Sequence, residues 1–286
     1  MKAYLVLIRM SFCFLSRVAP RLAGKVAFNL FQRPMNRVTR PLERSFFKEA
    51  KHFKIDHYPE AIDCYEVGNP EGDLIFLVHG WESNAGSMAA IATSLADQGY
   101  RVISFDLPAH GHSKLKRANI LTCSNALDRV MRYFQYSGSP SIVSHSFGSA
   151  VSTYTLARKG YQINKFIMLS TPDRILDIFQ DFKNIISLGD TAFKTMLDQV
   201  KALVGEDLET IAVNRMAEKV QYQNLSIIHD QYDRILPYSN SVNVYKNAPK
   251  ATLTTVEKIG HYKMLWNNSV IGTILYELNG ERDKVA

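Results

Sequence analysis

The sequence predicts an α/β protein with a mostly parallel, doubly wound sheet and an inserted helical cap. Three observations lead to this fold class. Short apolar segments alternate with longer helical patterns, which is typical of βαβ units. Residues 172–222 interrupt this alternation with helical patterns that have no strand between them. The 286 residues suffice for one large domain with an insertion.

The chain divides into three predicted parts. Residues 1–50 form a basic, amphipathic helical arm, residues 51–171 and 223–286 form the α/β core, and residues 172–222 form the cap. Apolar side chains at helical spacing predict the cap helices. They are Phe193, Met196, Leu197, Val200 and Leu203 on one face, and Leu208, Ile211 and Met216 on another.

The arm carries most of the positive charge. Residues 1–54 hold 12 Lys and Arg against Glu43 and Glu49, a local charge of +10 in a chain of net charge +7. Apolar residues at spacings of three and four predict two short helices, with Pro20 in the first turn of the second. These residues are Leu5, Ile8, Phe12, Leu15, Val18, Leu22 and Val26. We expect their shared face to pack on the main domain. The alternative is a peripheral contact of residues 1–30 with an anionic membrane surface.

Several classes of protein fit this composition poorly. A secretion signal needs an uninterrupted apolar core, and Arg9 breaks it. The apolar run 3–16 is shorter than the roughly 20 residues of a membrane span. The basic residues lack a nucleic-acid-binding motif, so no nucleic acid partner is expected. The three cysteines fit neither a disulfide framework nor a zinc site, which favours a reducing compartment such as the cytoplasm.

The core elements follow from local patterns. Alternating polar and apolar residues predict strands at 52–58 and 61–67, and the turn sequence NPEGD leads into a buried strand at 74–80. Further strands are predicted at 100–106, 141–145, 165–170, 225–230 and 251–259. Helices are predicted at about 85–98, 122–137, 147–159, 239–245 and 262–278.

Polar groups concentrate where these strands end. His79, Gly80 and Trp81 follow one buried strand, Ser146 follows another, and Asp233 and His261 follow the last two. The carboxyl ends of strands in an open α/β sheet are where ligands bind. The sequence therefore predicts the functional site at this edge.

Ser146 lies in the sequence SIVSHSFGSA, where a strand runs into a group of small residues. A tight strand-to-helix turn exposes such a hydroxyl and directs a helix N-terminus at the reaction centre. Neighbouring backbones approach closely there, so the small residues Ser144 and Gly148 suit it. The structural alternative is that Ser146 merely caps the helix.

Residues 50 to 278 resemble the α/β-hydrolases, of the serine-hydrolase kind that includes carboxylesterases and lysophospholipase-like enzymes. The resemblance rests on five segments, namely HGW, FDLPAHGHS, SHSFGS, HDQYDRILP and GHYKML. It implies that Ser146 is the nucleophile, Asp233 the acid and His261 the general base. It also implies that the backbone N–H groups of Trp81 and Phe147 form the oxyanion hole.

The resemblance assigns supporting roles as well. His79 would hold the oxyanion loop through a hydrogen bond, and His110 and His112 would structure the loop after the fourth strand. Ser144 stands where the family usually has glycine. Asp230 and Asp173 are alternatives to Asp233, although the spacing of Asp233 to Pro237 favours Asp233.

The expected activity is cleavage of a small-molecule carboxylic ester through an acyl-enzyme, with no metal or organic cofactor. Lysophospholipase or monoacylglycerol lipase activity is a narrower form of this reading. Aminopeptidase or amidase activity is a second reading, since Glu206, Asp207 and Glu209 in the cap could bind a free amine. The alternative from another class is a catalytically silent binding protein that has kept the fold.

Overall fold

The computed structural model describes residues 2–35, 39–136, 138–248 and 250–280, with no side-chain description for residues 2 and 3. The described chain forms two compact units. The larger contains residues 34–173 and 213–286, and the smaller contains residues 1–33 and 174–212. The first 33 residues of the predicted arm thus share a unit with most of the predicted cap, whereas residues 34–50 belong to the larger unit.

The larger unit is built on an eight-stranded sheet. The strands are β1 (Lys51–Ile55), β2 (Ile62–Gly68), β3 (Leu74–Val78), β4 (Arg101–Phe105), β5 (Ser141–His145), β6 (Gln162–Leu169), β7 (Gln221–Asp230) and β8 (Ala251–Val256). Their order is β1-β2-β4-β3-β5-β6-β7-β8. β1 and β2 are antiparallel to their neighbours, and the other six strands, β3 to β8, are parallel to one another. The predicted α/β fold class is confirmed.

Eleven α-helices accompany the strands in the described chain. They are α1 (Lys2–Val18), α2 (Pro20–Phe31), α3 (Arg44–Glu49), α4 (Ala89–Asp97), α5 (Ile120–Tyr133), α6 (Phe147–Lys159), α7 (Ile175–Ile186), α8 (Asp190–Val204), α9 (Val213–Ala217), α10 (Tyr238–Asn247) and α11 (Asn268–Asn279). None of the helices in the described part of the chain is long and apolar enough to cross a bilayer.

The core forms where the central strands pack on helices. Every residue of β3 and β5 is buried, as expected for parallel strands covered on both faces. On one face, Ile75 and Val143 pack with Ile91 of α4 and Ile274 of α11. On the other, α5 and α6 pack together, and α6 contacts β3, β5 and β6.

β7 begins earlier than the sequence predicts. The predicted strand starts at residue 225, whereas the observed one starts at Gln221 and pairs there with Gln162 of β6. The first residues, QYQN, are polar and mostly exposed, so hydrophobic patterning does not reveal them. Backbone pairing with β6 supplies the structure instead.

The smaller unit joins the arm to the helices after β6. On α2, Ala23, Gly24 and Ala27 are buried where α2 packs on α8. A Cβ atom on Gly24 would lie 2.7 Å from the Thr195 Cβ atom, so the close approach of these two helices requires glycine. The inner face of the arm is therefore packed on protein.

The predicted apolar face of the arm does not persist along its whole length. Phe12 is buried in α1, but Val18, Leu22 and Val26 are 60%, 52% and 42% exposed. The prediction that these three residues share the packed face is wrong. The periodic pattern indicates one apolar face shared by both predicted helices, whereas α2 buries its small residues Ala23, Gly24 and Ala27 instead.

Candidate active site

The ends of β5, β7 and β8 bring three predicted residues together. The Nε2 atom of His261 lies 3.0 Å from the Ser146 hydroxyl oxygen. Its Nδ1 atom lies 2.7 Å from Oδ2 of Asp233. Because a carboxylate can only accept, Nδ1 carries the proton and Nε2 presents a lone pair to the serine hydroxyl. The three side chains form one hydrogen-bonded chain.

Ser146 occupies a strained turn between β5 and α6. Its φ and ψ angles are 53° and −123°, a region that non-glycine residues rarely adopt. Its backbone N–H donates to Leu169 O at 2.9 Å, which ties the turn to β6. Its hydroxyl makes no capping hydrogen bond to α6, so the helix-cap alternative does not account for this residue. The hydroxyl is directed to His261 instead.

The residues on either side of Ser146 are small because backbone approaches them. A Cβ atom on Gly148 would overlap Val78 O and lie 2.5 Å from His79 O. Ser144 is fully buried, and its hydroxyl donates to Ile167 O at 3.2 Å and lies 3.0 Å from the Ser149 hydroxyl. The buried hydroxyl that replaces the usual glycine is therefore hydrogen-bonded, which removes the penalty of burying it.

Asp233 is held ionised by several donors. Its side chain is 0% exposed, and burial alone would disfavour the charge. Hydrogen bonds from His229 and His261, together with the backbone N–H of Ile235, outweigh burial and hold the pKa of this carboxyl well below its usual range. The Ile235 N–H bond is 2.8 Å long. Asp233 can thus accept from His261 at any physiological pH.

The two alternative acids bind elsewhere. Asp230 accepts hydrogen bonds from the backbone N–H groups of Tyr232, Lys258 and Gly260, and so ties the end of β7 to the loop that carries His261. Asp173 accepts from the backbone N–H of Asn214 at 3.1 Å. Of the three candidate carboxylates, Asp233 is the one that contacts His261.

His79 supports the loop after β3. Leu107 N–H donates to its Nε2 atom at 3.0 Å, so Nδ1 carries the proton and donates to Gly80 O at 2.8 Å. Burial lowers the pKa of His79, which keeps the ring neutral and preserves this pattern. The predicted supporting hydrogen bond is therefore present. It fixes the backbone immediately before Trp81.

Trp81 and Phe147 lie side by side at the same sheet edge. Their rings are 5.3 Å apart and nearly perpendicular. A Cβ atom on Gly80 would lie 3.1 Å from Ser146 Cβ, so the loop after β3 runs close to the turn after β5. The residues Trp81 and Phe147 thus flank the place where these two loops approach each other.

His110 and His112 stabilise the loop after β4. His110 Nδ1 donates to Pro108 O at 2.9 Å. His112 Nδ1 lies 2.9 Å from Asp106 Oδ2, and this hydrogen bond raises the pKa of His112. Asp106 also accepts from Ala85 N–H, which links the loops after β3 and β4. Both histidines make loop contacts, as predicted.

Sequence reasoning missed three residues around the triad. Ser170, with φ of 47°, donates its hydroxyl to Asp233 Oδ2 at 2.9 Å. His145 places its Nε2 atom 2.9 Å from His261 O, and the two rings are 4.7 Å apart. His229 is fully buried with Nε2 3.4 Å from Asp233 Oδ2. All three are polar residues within one position of the last residue of a strand, and that pattern was the available signal.

The acidic residues of the cap are engaged within their own unit. Asp207 accepts from Glu209 N–H at 3.0 Å and caps a short 3-10 helix. Glu209 binds Arg174 at 3.2 Å, and Glu206 accepts from the Thr210 hydroxyl at 2.9 Å. Each of the three carboxylates thus has a partner within the unit, and Asp207 alone acts as a helix cap, so their clustering is explained without an amine ligand.

Comparison with known proteins identifies the family of this chain. A sequence model of the α/β-hydrolase fold matches residues 73–226, which is more than half of the chain. The chain belongs to the α/β-hydrolase fold family. Its resemblance to a probable lysophospholipase of Haemophilus influenzae is 29% identity over 107 residues, which spans 34% of this chain and only 34% of that relative.

Solved structures agree on the fold. An esterase of Pyrococcus furiosus superimposes with a TM-score of 0.66 and 17% identity, covering 87% of this chain and 96% of the esterase. A bacterial membrane phospholipase A superimposes with a TM-score of 0.64 and 15% identity, covering 99% of this chain and 100% of that protein. At these identities the similarity establishes the fold alone.

Proposed function

We propose that this protein is a serine hydrolase that cleaves a carboxylic ester through an acyl-enzyme. The observation that carries the proposal is the hydrogen-bonded chain from Asp233 through His261 to Ser146. A serine hydroxyl becomes nucleophilic when a base removes its proton during attack. The 3.0 Å approach of His261 Nε2 to the hydroxyl is within reach of that transfer.

The reaction follows from these positions. The Ser146 oxygen bonds to the ester carbonyl carbon while its proton passes to His261 Nε2. The tetrahedral intermediate then collapses, the bond to the alcohol oxygen breaks, and His261 returns the proton to the departing alcohol. Water repeats the sequence on the acyl-enzyme and releases the acid. Asp233 fixes the tautomer of His261 and stabilises the imidazolium.

The negative charge on the carbonyl oxygen needs fixed donors. The backbone N–H groups of Trp81 and Phe147 are the proposed pair, since Phe147 follows the nucleophile and Trp81 lies on the adjacent loop. The N-terminus of α6, which begins at Phe147, favours the same charge. Loss of one such donor typically costs about 10²- to 10³-fold in turnover.

A fluorophosphonate probe tests the nucleophile without a choice of substrate. Purified protein, its Ser146→Ala variant and the control Ser239→Ala, which removes an exposed hydroxyl, are treated with the probe and weighed intact. We expect a single adduct on the wild type and on Ser239→Ala, and none on Ser146→Ala. Folded wild-type protein without an adduct would favour the catalytically silent binding protein.

A lipid ester is the second candidate substrate. The partial match is to a probable lysophospholipase, and one structural neighbour is named a membrane phospholipase. A peripheral contact of residues 1–30 with a membrane surface fits this candidate, because lipid esters are presented there. Fatty-acid release from lysophosphatidylcholine, compared with hydrolysis of a soluble ester of the same acyl chain, separates the two candidates. An aminoacyl amide in the same panel tests the amidase alternative.

A further inference from the structure

One face of α1 is apolar and exposed to solvent. Val6, Leu7, Met10, Phe14 and Val18 are between 54% and 66% exposed. At 100° per residue these five positions fall within one third of the helix circumference. We name them the outer face of α1.

The opposite side of α1 is already packed. Phe12 is 6% exposed, Arg9 Nε donates to Ile185 O at 2.9 Å, and Gly189 N–H donates to the Ser16 hydroxyl at 3.0 Å. A surface helix normally turns polar residues outward once its apolar side is buried. Here the outward side is apolar as well, which indicates a second, non-aqueous contact.

This exposure is concentrated in the arm. In the described part of the chain 19 large hydrophobic residues are exposed, and eight of them lie between Tyr4 and Val26. Scattered exposed apolar residues need no explanation, but a contiguous group marks an interaction surface. Leu22 and Val26 extend the exposed apolar character into α2.

Cations accompany the outer face. Arg17, Arg21 and Lys25 are exposed and recur every fourth residue across the end of α1 and the start of α2. No acidic residue precedes Glu43 in the sequence. The two arm helices therefore combine an apolar stripe with positive charge and carry no acidic residue of their own.

We propose that the outer face of α1, with Arg17, Arg21 and Lys25, binds the surface of an anionic lipid bilayer. The helix lies in the interface, its apolar side chains reach the acyl boundary, and the cations contact anionic headgroups. An in-plane orientation agrees with the absence, among the described helices, of one that could cross a bilayer. Lipid binding by this face does not require the chemistry of Ser146.

Charge favours lipid over a second copy of this chain as the partner. In a symmetric dimer each arm would face the same surface of its partner. Residues 1–54 have a local charge of +10, so two arms would repel each other, whereas anionic headgroups neutralise them. A bilayer satisfies the apolar stripe and the cations together.

Vesicle sedimentation tests the proposal. Full-length Ser146→Ala protein is mixed with vesicles of phosphatidylcholine alone or with 30% phosphatidylglycerol, so that binding is measured without hydrolysis. One variant carries Met10→Ser and Phe14→Ser; its control is Tyr276→Ser, which removes an equally exposed ring from α11. A second variant carries Arg17→Gln, Arg21→Gln and Lys25→Gln; its control carries Lys219→Gln, Lys246→Gln and Lys250→Gln, with the same change in net charge.

We expect binding to the anionic vesicles and much weaker binding to the neutral ones. The apolar variant should bind at least about tenfold more weakly, and the cation variant about a hundredfold more weakly, than the controls. Far-UV circular dichroism and thermal melting establish that the variants are folded. Equal binding by variants and controls, or no binding by the parent protein, overturns the proposal. A parent that is dimeric and an apolar variant that is monomeric, with neither binding vesicles, would identify a subunit interface instead.

Discussion

Replacing Gly148 by alanine is expected to lower both stability and activity. A Cβ atom at this position would overlap Val78 O and lie 2.5 Å from His79 O, whereas real Cβ contacts stay beyond about 3.0 Å. The obstacles are backbone atoms at the end of β3, so the start of α6 must move by at least about 0.5 Å. Overpacking of this kind costs about 1–3 kcal/mol, from which the helix preference of alanine recovers about 0.5–1 kcal/mol.

The same displacement acts on the proposed reaction. The first turn of α6 contains the Phe147 N–H, a proposed oxyanion donor, and begins next to Ser146. A misplacement of about 1 Å costs on the order of 10²-fold in rate. We therefore expect kcat for a soluble ester to fall about 10- to 100-fold, with a net loss of up to about 2.5 kcal/mol in the free energy of unfolding.

Gly272→Ala is the matched control. Gly272 also lies in a helix, α11, but a Cβ atom there would meet no atom within 4 Å. This variant should be about 0.5–1 kcal/mol more stable than the wild type and fully active. Urea denaturation and ester kinetics on both variants decide the matter. A Gly148→Ala protein with wild-type stability and kcat would refute the idea that close backbone approach restrains the turn.

Three further perturbations test the surroundings of the site. Asp233→Asn should lower kcat about 10⁴-fold, because the amide reverses the His261 tautomer. Asp230→Asn should chiefly lower the free energy of unfolding, because Asp230 hydrogen-bonds to backbone N–H groups. Equal kcat values for the two variants would contradict the assignment of Asp233 as the acid. Ser170→Ala removes one hydrogen bond to the charged carboxylate of Asp233, so kcat should fall about tenfold with KM unchanged. A change confined to KM would contradict the role of Ser170 in positioning Asp233. Burial, followed by the charge of His261, holds the pKa of His145 well below its ordinary value. Below about pH 6.5 the unfolded chain therefore binds a proton that the folded chain excludes, so the free energy of unfolding falls as the pH falls. His145 contributes a slope of at most about 1.4 kcal/mol per pH unit, and this contribution should be absent in His145→Gln. An identical pH dependence of urea denaturation in the wild type and in His145→Gln would show that His145 is not the source of the slope.

The positions of Ser146, Asp233 and His261 could be predicted because each lies at a strand end that local sequence identifies. Apolar segments locate the strands, and parallel strands bring their carboxyl ends to one edge. The contacts among these side chains did not follow from the sequence in the same way. The spacing to Pro237 favoured Asp233 over Asp230, but the path of the chain after β7 is what turns the Asp233 carboxylate to His261 and the Asp230 carboxylate to Gly260 N–H.

Ser170, His145 and His229 illustrate what local pattern cannot provide. Ser170 is 63 residues from Asp233 and reaches it because β6 and β7 are adjacent. The hydrogen bond between His145 and His261 O spans 116 residues. Such contacts depend on strand order, which hydrophobic periodicity does not encode.

The sequence by itself determined the α/β class, the strand ends and the basic character of the arm, because all three follow from local periodicity and composition. Tertiary structure decided which polar groups meet at the sheet edge and which face of the arm is left outside. The periodic pattern of the arm assigned Val18, Leu22 and Val26 to the packed face, yet the small residues Ala23, Gly24 and Ala27 are the ones buried against α8. Two helices approach most closely where side chains are smallest, and which residues are buried there depends on how the two helices pack rather than on the sequence of either helix alone.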